Sequence, residues 1–406
     1  MSPGRESGPP SSADLDRQIM LMLSAPSGLP LRPWDDLASG YGVGRARAVA
    51  LRTAKSLARE YHLHIVDDWP MPSLGVHCVV AGMEPGQDAA SVLAALNSDQ
   101  RVAWAQPLQR YRTLEQTAAR ANDAAAQPWW DLAALHAIAT GRGVIVAQVD
   151  TGVDLAHPNL TGQWLEPRDF VGTGRFDAEL HGTAVAGLIV AHASTKAQGV
   201  GVAPGARLMP LRACWQVDAG AAECSSFTLA KALQHALREH AQIINLSLTG
   251  PPDLLLGRLV DRALEQGAVV VAAADETGEG PGFPARHPGV IAAAGGPVAG
   301  LEHTVQAPSR DLLTTIPNAA LGFMSGSSFA AAQVAGLTAL LLERSPQLKP
   351  TQVRTVLSAA SATATRAGGA APVDPCAALL AVTSDRRAPS CARTPRSAGL
   401  HQADIH

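Results

Sequence analysis

The fold is decided by the stretch AQIINLSLTGPPDLLLGRLVDRALEQGAVVVAAA, residues 241–274. Its two ends, 241–248 and 268–274, are short apolar runs with little polar alternation, which is typical of strands covered on both faces. Between them, residues 254–267 place apolar side chains at helical spacing and end at Gly267, a residue favoured just beyond a helix. A strand, a helix and a second strand in this order predict a parallel sheet with helices packed against it.

The same alternation continues on both sides of this stretch. Apolar runs predict further strands at 143–149, 206–213 and 289–295, and apolar or amphipathic segments predict helices at 181–193 and 226–240. The predicted fold class is therefore α/β, with a parallel sheet and helices on both of its faces.

The residues before this region predict a second, smaller domain of α+β type. GRARAVALRTAKSLAREYHL and DAASVLAALNS have helical patterns, and VAWAQPLQRYRTL (102–114) predicts one closing strand. The alanine-rich segment after it has no apolar face, which predicts a linker. The predicted units are a disordered N-terminus (1–13), the small domain (14–112), the linker (113–127), the parallel-sheet domain (128–383) and a mobile C-terminal tail (384–406).

Composition and charge exclude some classes of partner. The chain has 406 residues, a formal net charge of -3 and 47% hydrophobic residues, which gives no electrostatic case for binding nucleic acid or an anionic membrane. Apolar runs are too short for a transmembrane helix, and the polar N-terminus lacks the apolar core of a signal peptide. We therefore expect neither nucleic acid nor a membrane as a partner. We also expect the chain to be a monomer.

The cysteines leave two interpretations open. Cys214 and Cys224 bracket one short segment, Cys376 and Cys391 bracket another, and neither arrangement has the spacing of a metal site. Each pair could form a loop-closing disulfide, which would imply an oxidising compartment. The alternative is a set of free thiols in a cytosolic protein. In the first interpretation Cys78 is left unpaired.

Three polar residues stand where a parallel sheet places its functional groups, at strand ends and helix starts. Asp150 ends a strand in VAQVDTGVDLAHPNL, His181 opens a helix in ELHGTAVAGLIVA, and Ser328 opens a helix in SGSSFAAAQVAG. Each has an ordinary structural interpretation, as a turn residue, a helix N-terminal residue or a helix cap. Together they supply a nucleophile, a base and an acid that orients the base.

These three segments resemble the motifs of the subtilisin-like serine peptidases, the subtilases, which also place Asp, His and Ser in this order. GVGVAPGARLMPLRA (199–213) and IINLSL (243–248) resemble strands of the same family. The resemblance implies a serine endopeptidase without a cofactor. Ser328 would be its nucleophile, His181 its general base, and Asp150 the residue that orients the imidazole.

The resemblance also implies a zymogen. The small domain is similar to the ferredoxin-like propeptide of the family, which assists folding, inhibits the enzyme and is then removed by self-cleavage. The expected partners are therefore a peptide or protein substrate and the chain's own propeptide, in an extracellular or periplasmic location. By the same resemblance, Ser247, Leu248 and Thr249 would pair with an extended substrate, and Gly282 would lie near the floor of the pocket for the residue before the cut.

The sequence departs from the family where the oxyanion is bound. Subtilases usually place there an Asn that donates to the oxyanion, whereas this chain has Asp275 or Glu276, depending on a one-residue gap. We assign Asp275, together with the helix start at Ser327 and the Ser328 N–H. Donation by Asp275 requires a protonated carboxyl, and hence a pKa raised well above its ordinary value. The alternative function is a catalytically weakened, subtilase-fold binding or chaperone-like protein.

A structural calcium ion, common in the family, is not expected here. Asn159 occupies a position where the family usually has a ligating Asp, and AHASTKAQ (191–198) lacks the Asn-rich loop that completes the site. We therefore predict no metal site.

Overall fold

The computed structural model describes residues 15–24, 41–114, 130–193, 200–217, 221–278, 280–301, 303–363 and 372–383. The predicted disordered N-terminus and C-terminal tail lie outside the described residues, as does almost all of the predicted linker. These assignments remain predictions.

The small domain is built on a four-stranded antiparallel sheet. Its elements are β1 (Gln18–Ser24), α1 (Tyr41–Glu60), β2 (Leu63–Met71), β3 (Val76–Met83), α2 (Ala89–Asn97) and β4 (Val102–Pro107). The strands lie in the order β2-β3-β1-β4, with one helix after β1 and one after β3. This βαββαβ arrangement is ferredoxin-like and confirms the predicted fold of the small domain.

The large domain contains a seven-stranded sheet whose strand pairs are all parallel. The elements along the chain are β5 (Arg110–Thr113), α3 (Leu132–His136), β6 (Ile145–Asp150), β7 (Arg168–Asp169), α4 (Leu180–Val190), β8 (Arg207–Arg212), β9 (Cys214–Gln216), β10 (Ala222–Ser225), α5 (Ser226–Arg238), β11 (Ile243–Leu246), β12 (Leu248–Thr249), α6 (Leu254–Glu265), β13 (Val269–Ala273), β14 (Ile291–Ala294), β15 (Val305–Gln306), β16 (Leu312–Ile316), β17 (Ala320–Met324), α7 (Ser327–Arg344), α8 (Pro350–Thr363) and α9 (Pro375–Val382). The strand order is β15-β14-β13-β11-β6-β8-β7. This architecture confirms the predicted α/β class.

Successive side chains of the central strands enter two different cores, because neighbouring residues of a strand point to opposite faces. Val146 and Val271 pack with α4 and α7 on one face of the sheet. Ala147 and Val270 pack with α5 and α6 on the other face. The small domain covers this second layer, since Met20 and Trp104 of its sheet belong to the same core as α5 and α6.

The expectation of one closing strand over 102–114 is wrong. The segment forms β4, which ends at Pro107, and a separate strand β5 that leaves the small domain. Proline has no N–H to donate to a neighbouring strand, so it is suited to the end of β4. β5 instead pairs with β10 and β12 of the large domain in a four-stranded sheet of order β12-β5-β10-β9.

The disulfide predicted between Cys214 and Cys224 is present and joins β9 to β10. Cys376 is also disulfide-bonded, and the partner predicted for it, Cys391, lies outside the described residues. Cys78 is a buried free thiol in β3. Within the described part of the chain, none of the helices is both long enough and apolar enough to cross a bilayer.

Candidate active site

Asp150 and His181 meet at the carboxyl end of the parallel sheet. Asp150 is the last residue of β6, and His181 is the second residue of α4. His181 Nδ1 lies 2.7 Å from Asp150 Oδ1, and both side chains are buried. An imidazole N–H that donates to a carboxylate is fixed in one tautomer and one ring orientation, so Nε2 is left as the base.

The glycine after His181 allows α4 to approach β6 this closely. A Cβ at Gly182 would lie 2.4 Å from the carbonyl oxygen of Thr151, which is too close for any side chain at this position. The Gly182 N–H donates to the Thr151 hydroxyl at 2.8 Å, and the Gln148 side chain donates to the Gly182 carbonyl at 2.8 Å. These two hydrogen bonds hold the start of α4, and therefore His181, against the strand that ends in Asp150.

Ser328 is the second residue of α7. Its hydroxyl donates to the carbonyl oxygen of Ser247 at 2.9 Å. The ring of Phe329, the next residue, lies 5.5 Å from the His181 ring between centroids. The structure therefore places the Asp150–His181 pair and the start of α7, which carries Ser328, at one end of the sheet.

A segment of the chain itself lies over Ser328. β5 is held between β12 and β10, with Thr113 opposite Leu248 and Arg112 opposite Thr249. The Leu114 N–H donates to Ser328 Oγ at 3.0 Å, and the Leu114 carbonyl accepts from the Ser328 N–H at 3.4 Å. The segment thus occupies the cleft as an added strand, which is how an extended peptide binds to a sheet edge.

The apolar residues of the segment are buried in the large domain. Leu114 and Tyr111 are almost fully covered. The Tyr111 ring packs edge-on to Phe283 at 6.3 Å, and its hydroxyl donates to the Pro251 carbonyl at 2.9 Å. A Cβ at Gly250 would lie 2.4 Å from the Tyr111 ring, so this glycine leaves the space that the ring fills.

The predicted substrate-binding residues lie along the same cleft. Leu248 and Thr249 form β12, the strand opposite Thr113 and Arg112. The Ser247 carbonyl accepts from the Ser328 hydroxyl, and the Ser247 hydroxyl donates to the Ser328 carbonyl at 2.9 Å. Gly282 has a φ of 70° and packs against the hydroxyl of Thr249.

The surroundings of Asp275 favour the ionised form of its carboxyl. Burial raises the pKa of Asp275. Hydrogen bonds from the Thr277 N–H and hydroxyl, the positive charge of Arg112 and a hydrogen bond from the Gly278 N–H together lower it by more than burial raises it. The pKa therefore lies below its ordinary value. The direction of this shift is opposite to the one that oxyanion donation by a protonated Asp275 would need, because the folded chain supplies donors to this carboxyl. Both of its oxygens accept hydrogen bonds from other groups, and its assignment to the oxyanion stays a prediction.

Of the other candidates for the oxyanion, Glu276 faces a different partner and Ser327 is buried. Glu276 accepts from the Gly296 N–H at 2.9 Å. Ser327 is buried at the first position of α7. Among the residues that the structure describes, the one hydrogen-bond donor to the Leu114 carbonyl is the Ser328 N–H.

Sequence reasoning missed two features of the site. Asn245 donates to the Ser247 hydroxyl at 2.9 Å and so extends the polar chain behind Ser328. The occupant of the cleft was also missed, although Arg110–Thr113 alternates exposed and buried residues as a half-covered strand does. The residues of this strand do not by themselves indicate which sheet it joins.

The position considered for calcium is occupied by internal hydrogen bonding. Asn159 donates to the His192 carbonyl at 2.9 Å. Within the described ranges there is no cluster of three or more His, Cys, Asp or Glu side chains arranged to hold a metal ion. The prediction that the chain has no cofactor is not tested by these observations.

Comparisons with known proteins agree with this geometry. A family model described as the subtilase family matches residues 141–296 and 276–374. The chain is 33% identical over 234 residues to subtilisin E of Bacillus subtilis (strain 168), a match that covers 53% of this chain and 59% of the relative. It is also 33% identical over 234 residues to the subtilisin of Bacillus pumilus, covering 53% of this chain and 82% of that protein.

A solved structure shows the same fold. Fervidolysin from Fervidobacterium pennivorans, a keratinolytic enzyme related to subtilisin, matches with a TM-score of 0.66 and 22% identity over 89% of this chain and 60% of its own. The chain thus spans about three fifths of the length of subtilisin E and of fervidolysin. From the family match, the similarity to the subtilisins and the fold, we conclude that the chain belongs to the subtilase family.

Proposed function

We propose that the chain is a serine endopeptidase, made as a zymogen that cuts itself after Leu114. The observation that carries the proposal is the position of Leu114. Its N–H donates to the Ser328 hydroxyl, and its carbonyl accepts from the Ser328 N–H. Family membership supports peptide-bond hydrolysis as the reaction. The residue before the cut would be Leu114, and the residues before it would bind as Arg112 and Thr113 do, in pairing with β12.

The geometry supports acyl transfer in two steps. Ser328 Oγ attacks the carbonyl carbon of Leu114 while His181 Nε2 takes the hydroxyl proton, and Asp150 stabilises the imidazolium that forms. The oxyanion accepts from the Ser328 N–H. The C–N bond then breaks, His181 returns the proton to the amine of the leaving segment, and water hydrolyses the acyl ester with His181 again as the base.

After the cut, the small domain would stay bound as an inhibitor. Its sheet packs on α5 and α6 through side chains that are not part of the cleft. Lys231 lies 4.5 Å from the Phe227 ring centroid and 5.5 Å from that of Trp69, and the Trp69 ring packs edge-on to Phe170 at 6.1 Å. The chain's own small domain is thus its first proposed partner, and a peptide or protein substrate follows after the small domain is removed.

A weakened enzyme is the second candidate. Losing one oxyanion donor costs about 10²–10³ in kcat, a figure measured on subtilisin, a relative of this protein. The Leu114 carbonyl receives a hydrogen bond from the Ser328 N–H, whereas Asp275 and Glu276 face other groups. This observation favours slow turnover. If turnover were slow enough, the cleft would serve mainly to bind peptides.

The location is proposed from the cysteines. The disulfide between Cys214 and Cys224 supports an oxidising compartment, either extracellular or periplasmic.

A fluorophosphonate probe tests the proposed function, because it reacts with a serine only when an adjacent base activates the hydroxyl. We expect labelling at Ser328 after the small domain has been removed, and little labelling while Leu114 covers the hydroxyl. His181→Ala should lose labelling, since the base is absent. Peptide mapping of the labelled protein identifies the site. Absence of labelling in the uncovered parent protein would contradict the proposal.

Removing the disulfide should weaken both the fold and substrate binding. Cys224 lies opposite Tyr111, so β10 forms one wall of the cleft, and the bond fixes β10 to β9. Replacing both Cys214 and Cys224 with Ser should lower the free energy of unfolding by about 2–3 kcal/mol and raise KM for peptides. Denaturant unfolding and steady-state kinetics measure the two effects. If neither the unfolding midpoint nor KM changes, strand pairing alone holds the hairpin.

A further inference from the structure

We propose that Asp275 is a specificity-determining residue that selects a basic side chain at the third position before the scissile bond. The inference rests on the proposed function, because it takes the chain segment in the cleft as the pattern for other substrates. If Leu114 precedes the cut, Arg112 occupies that third position.

The contact is made by a buried acid on the large domain and an exposed base on the bound segment. Arg112 Nη2 donates to Asp275 Oδ2 at 2.7 Å. The Asp275 side chain is 8% exposed, whereas the Arg112 side chain is 61% exposed. The acid is therefore fixed in the wall of the cleft, and a substrate can place a flexible basic side chain on it from the solvent.

The carboxylate is held in place without help from Arg112. Its other oxygen, Oδ1, accepts from the Thr277 N–H at 2.9 Å, the Thr277 hydroxyl at 2.9 Å and the Gly278 N–H at 3.0 Å. A Cβ at Gly278 would lie 2.9 Å from Oδ2, so glycine keeps that oxygen open. The acceptor for a basic side chain is thus preorganised, which reduces the ordering that binding requires.

Strand geometry directs the third residue to this acid. Side chains alternate across a strand, and in β5 Tyr111 and Thr113 are buried while Arg112 is exposed. The backbone of Arg112 pairs with Thr249, which fixes the register of its side chain along the cleft. Any peptide bound in this register would place its third residue beside Asp275.

A second acid lies further along the bound segment. Arg110 Nη2 donates to Glu223 Oε1 at 2.7 Å, but the same guanidinium also lies 3.3 Å from Asp16 of the small domain. Asp16 would be absent from an unrelated substrate. The contact of Arg110 with Glu223 is therefore weaker evidence for a side-chain preference of the cleft. The contact between Arg112 and Asp275 involves one residue of the segment and one of the cleft.

The preference should hold across the pH range in which the enzyme works. The pKa of Asp275 is lowered, so its charge is lost only as pH falls through a value below the ordinary one. The charged side chain facing its carboxylate is Arg112, while the adjacent Glu276 faces Gly296. The ratio of rates for basic and neutral peptides should therefore stay constant from about pH 8 to about pH 5.

The test uses four peptides of sequence Arg-Tyr-Xaa-Thr-Leu with a fluorogenic leaving group, where Xaa is Arg, Lys, Gln or Glu. We expect kcat/KM for the Arg peptide to exceed that for the Gln peptide by about fivefold. The ratio is modest because the arginine of the ion pair with Asp275 is exposed to solvent. The Glu peptide should be slower than the Gln peptide by about fivefold, because two carboxylates would face each other. High salt should reduce both ratios.

The matched variants are Asp275→Asn and Glu276→Gln, which each remove one negative charge from adjacent residues. Asparagine can still accept at Oδ1, so the loop is preserved, and the ratio for Arg over Gln should fall to about one. Glu276→Gln should keep the ratio of the parent enzyme. Equal rates for Arg and Gln in the parent, or a ratio unchanged by Asp275→Asn, would overturn the inference while leaving peptide hydrolysis in place. Failure of the parent to cut any of the four peptides would overturn the proposed function and the inference with it.

Discussion

A Ser328→Ala variant should accumulate as the intact 406-residue chain, whereas the parent protein should be recovered as two polypeptides separated after Leu114. Alanine keeps the start of α7 and the N–H that faces the Leu114 carbonyl, but it lacks the oxygen that attacks. In subtilisin, a relative of this protein, loss of the nucleophile lowers kcat by about 10⁶-fold. At that rate, no self-cleavage would be seen during expression.

Intact mass and N-terminal sequencing of protein made in a protease-deficient host measure the result. The matched control is Ser325→Ala, which removes a hydroxyl three residues away that accepts from the Asp311 N–H. This control should be processed as the parent is. If Ser328→Ala is cut after Leu114 at the rate of the parent, another protease makes the cut and self-processing is wrong.

Much of the site could be predicted from sequence because its signals are local. Asp150, His181 and Ser328 each stand at the end of an apolar strand or the start of a buried helix, and the topology of a parallel sheet brings such ends to one edge. The continuous apolar runs also predict strands covered on both faces. The central strands are indeed buried on both sides.

The features that sequence reasoning missed depend on contacts between distant residues. β2 (Leu63–Met71) is an edge strand with a mixed polar pattern, so its residues give no clear period-2 signal. β5 follows β4 after a short break, and only the distant strands β10 and β12 determine that it enters the cleft. The hydrogen bonding of Asp275 was missed for the same reason, since it depends on the turn at Thr277 and on an arginine 163 residues earlier in the chain.

A Leu114→Pro variant should not be cut after residue 114, although Asp150, His181 and Ser328 are unchanged. The Leu114 N–H donates to Ser328 Oγ at 3.0 Å, whereas proline has no N–H there and would place its ring against the Ser328 hydroxyl. Thr113 before it is already extended in β5, the conformation that a residue preceding proline prefers, so the rest of the strand should still bind.

The lost hydrogen bond and the steric overlap together should cost about 3 kcal/mol, which slows processing by about 100-fold or more. Leu114→Ala is the matched control. It keeps the N–H and loses buried apolar surface worth about 2 kcal/mol, so it should be cut after residue 114 about 30-fold more slowly. Timed intact-mass measurements, with N-terminal sequencing of each product, separate the variants. A proline variant cut after residue 114 at the rate of the parent would show that Leu114 is bound to Ser328 without being the residue at which the chain is opened.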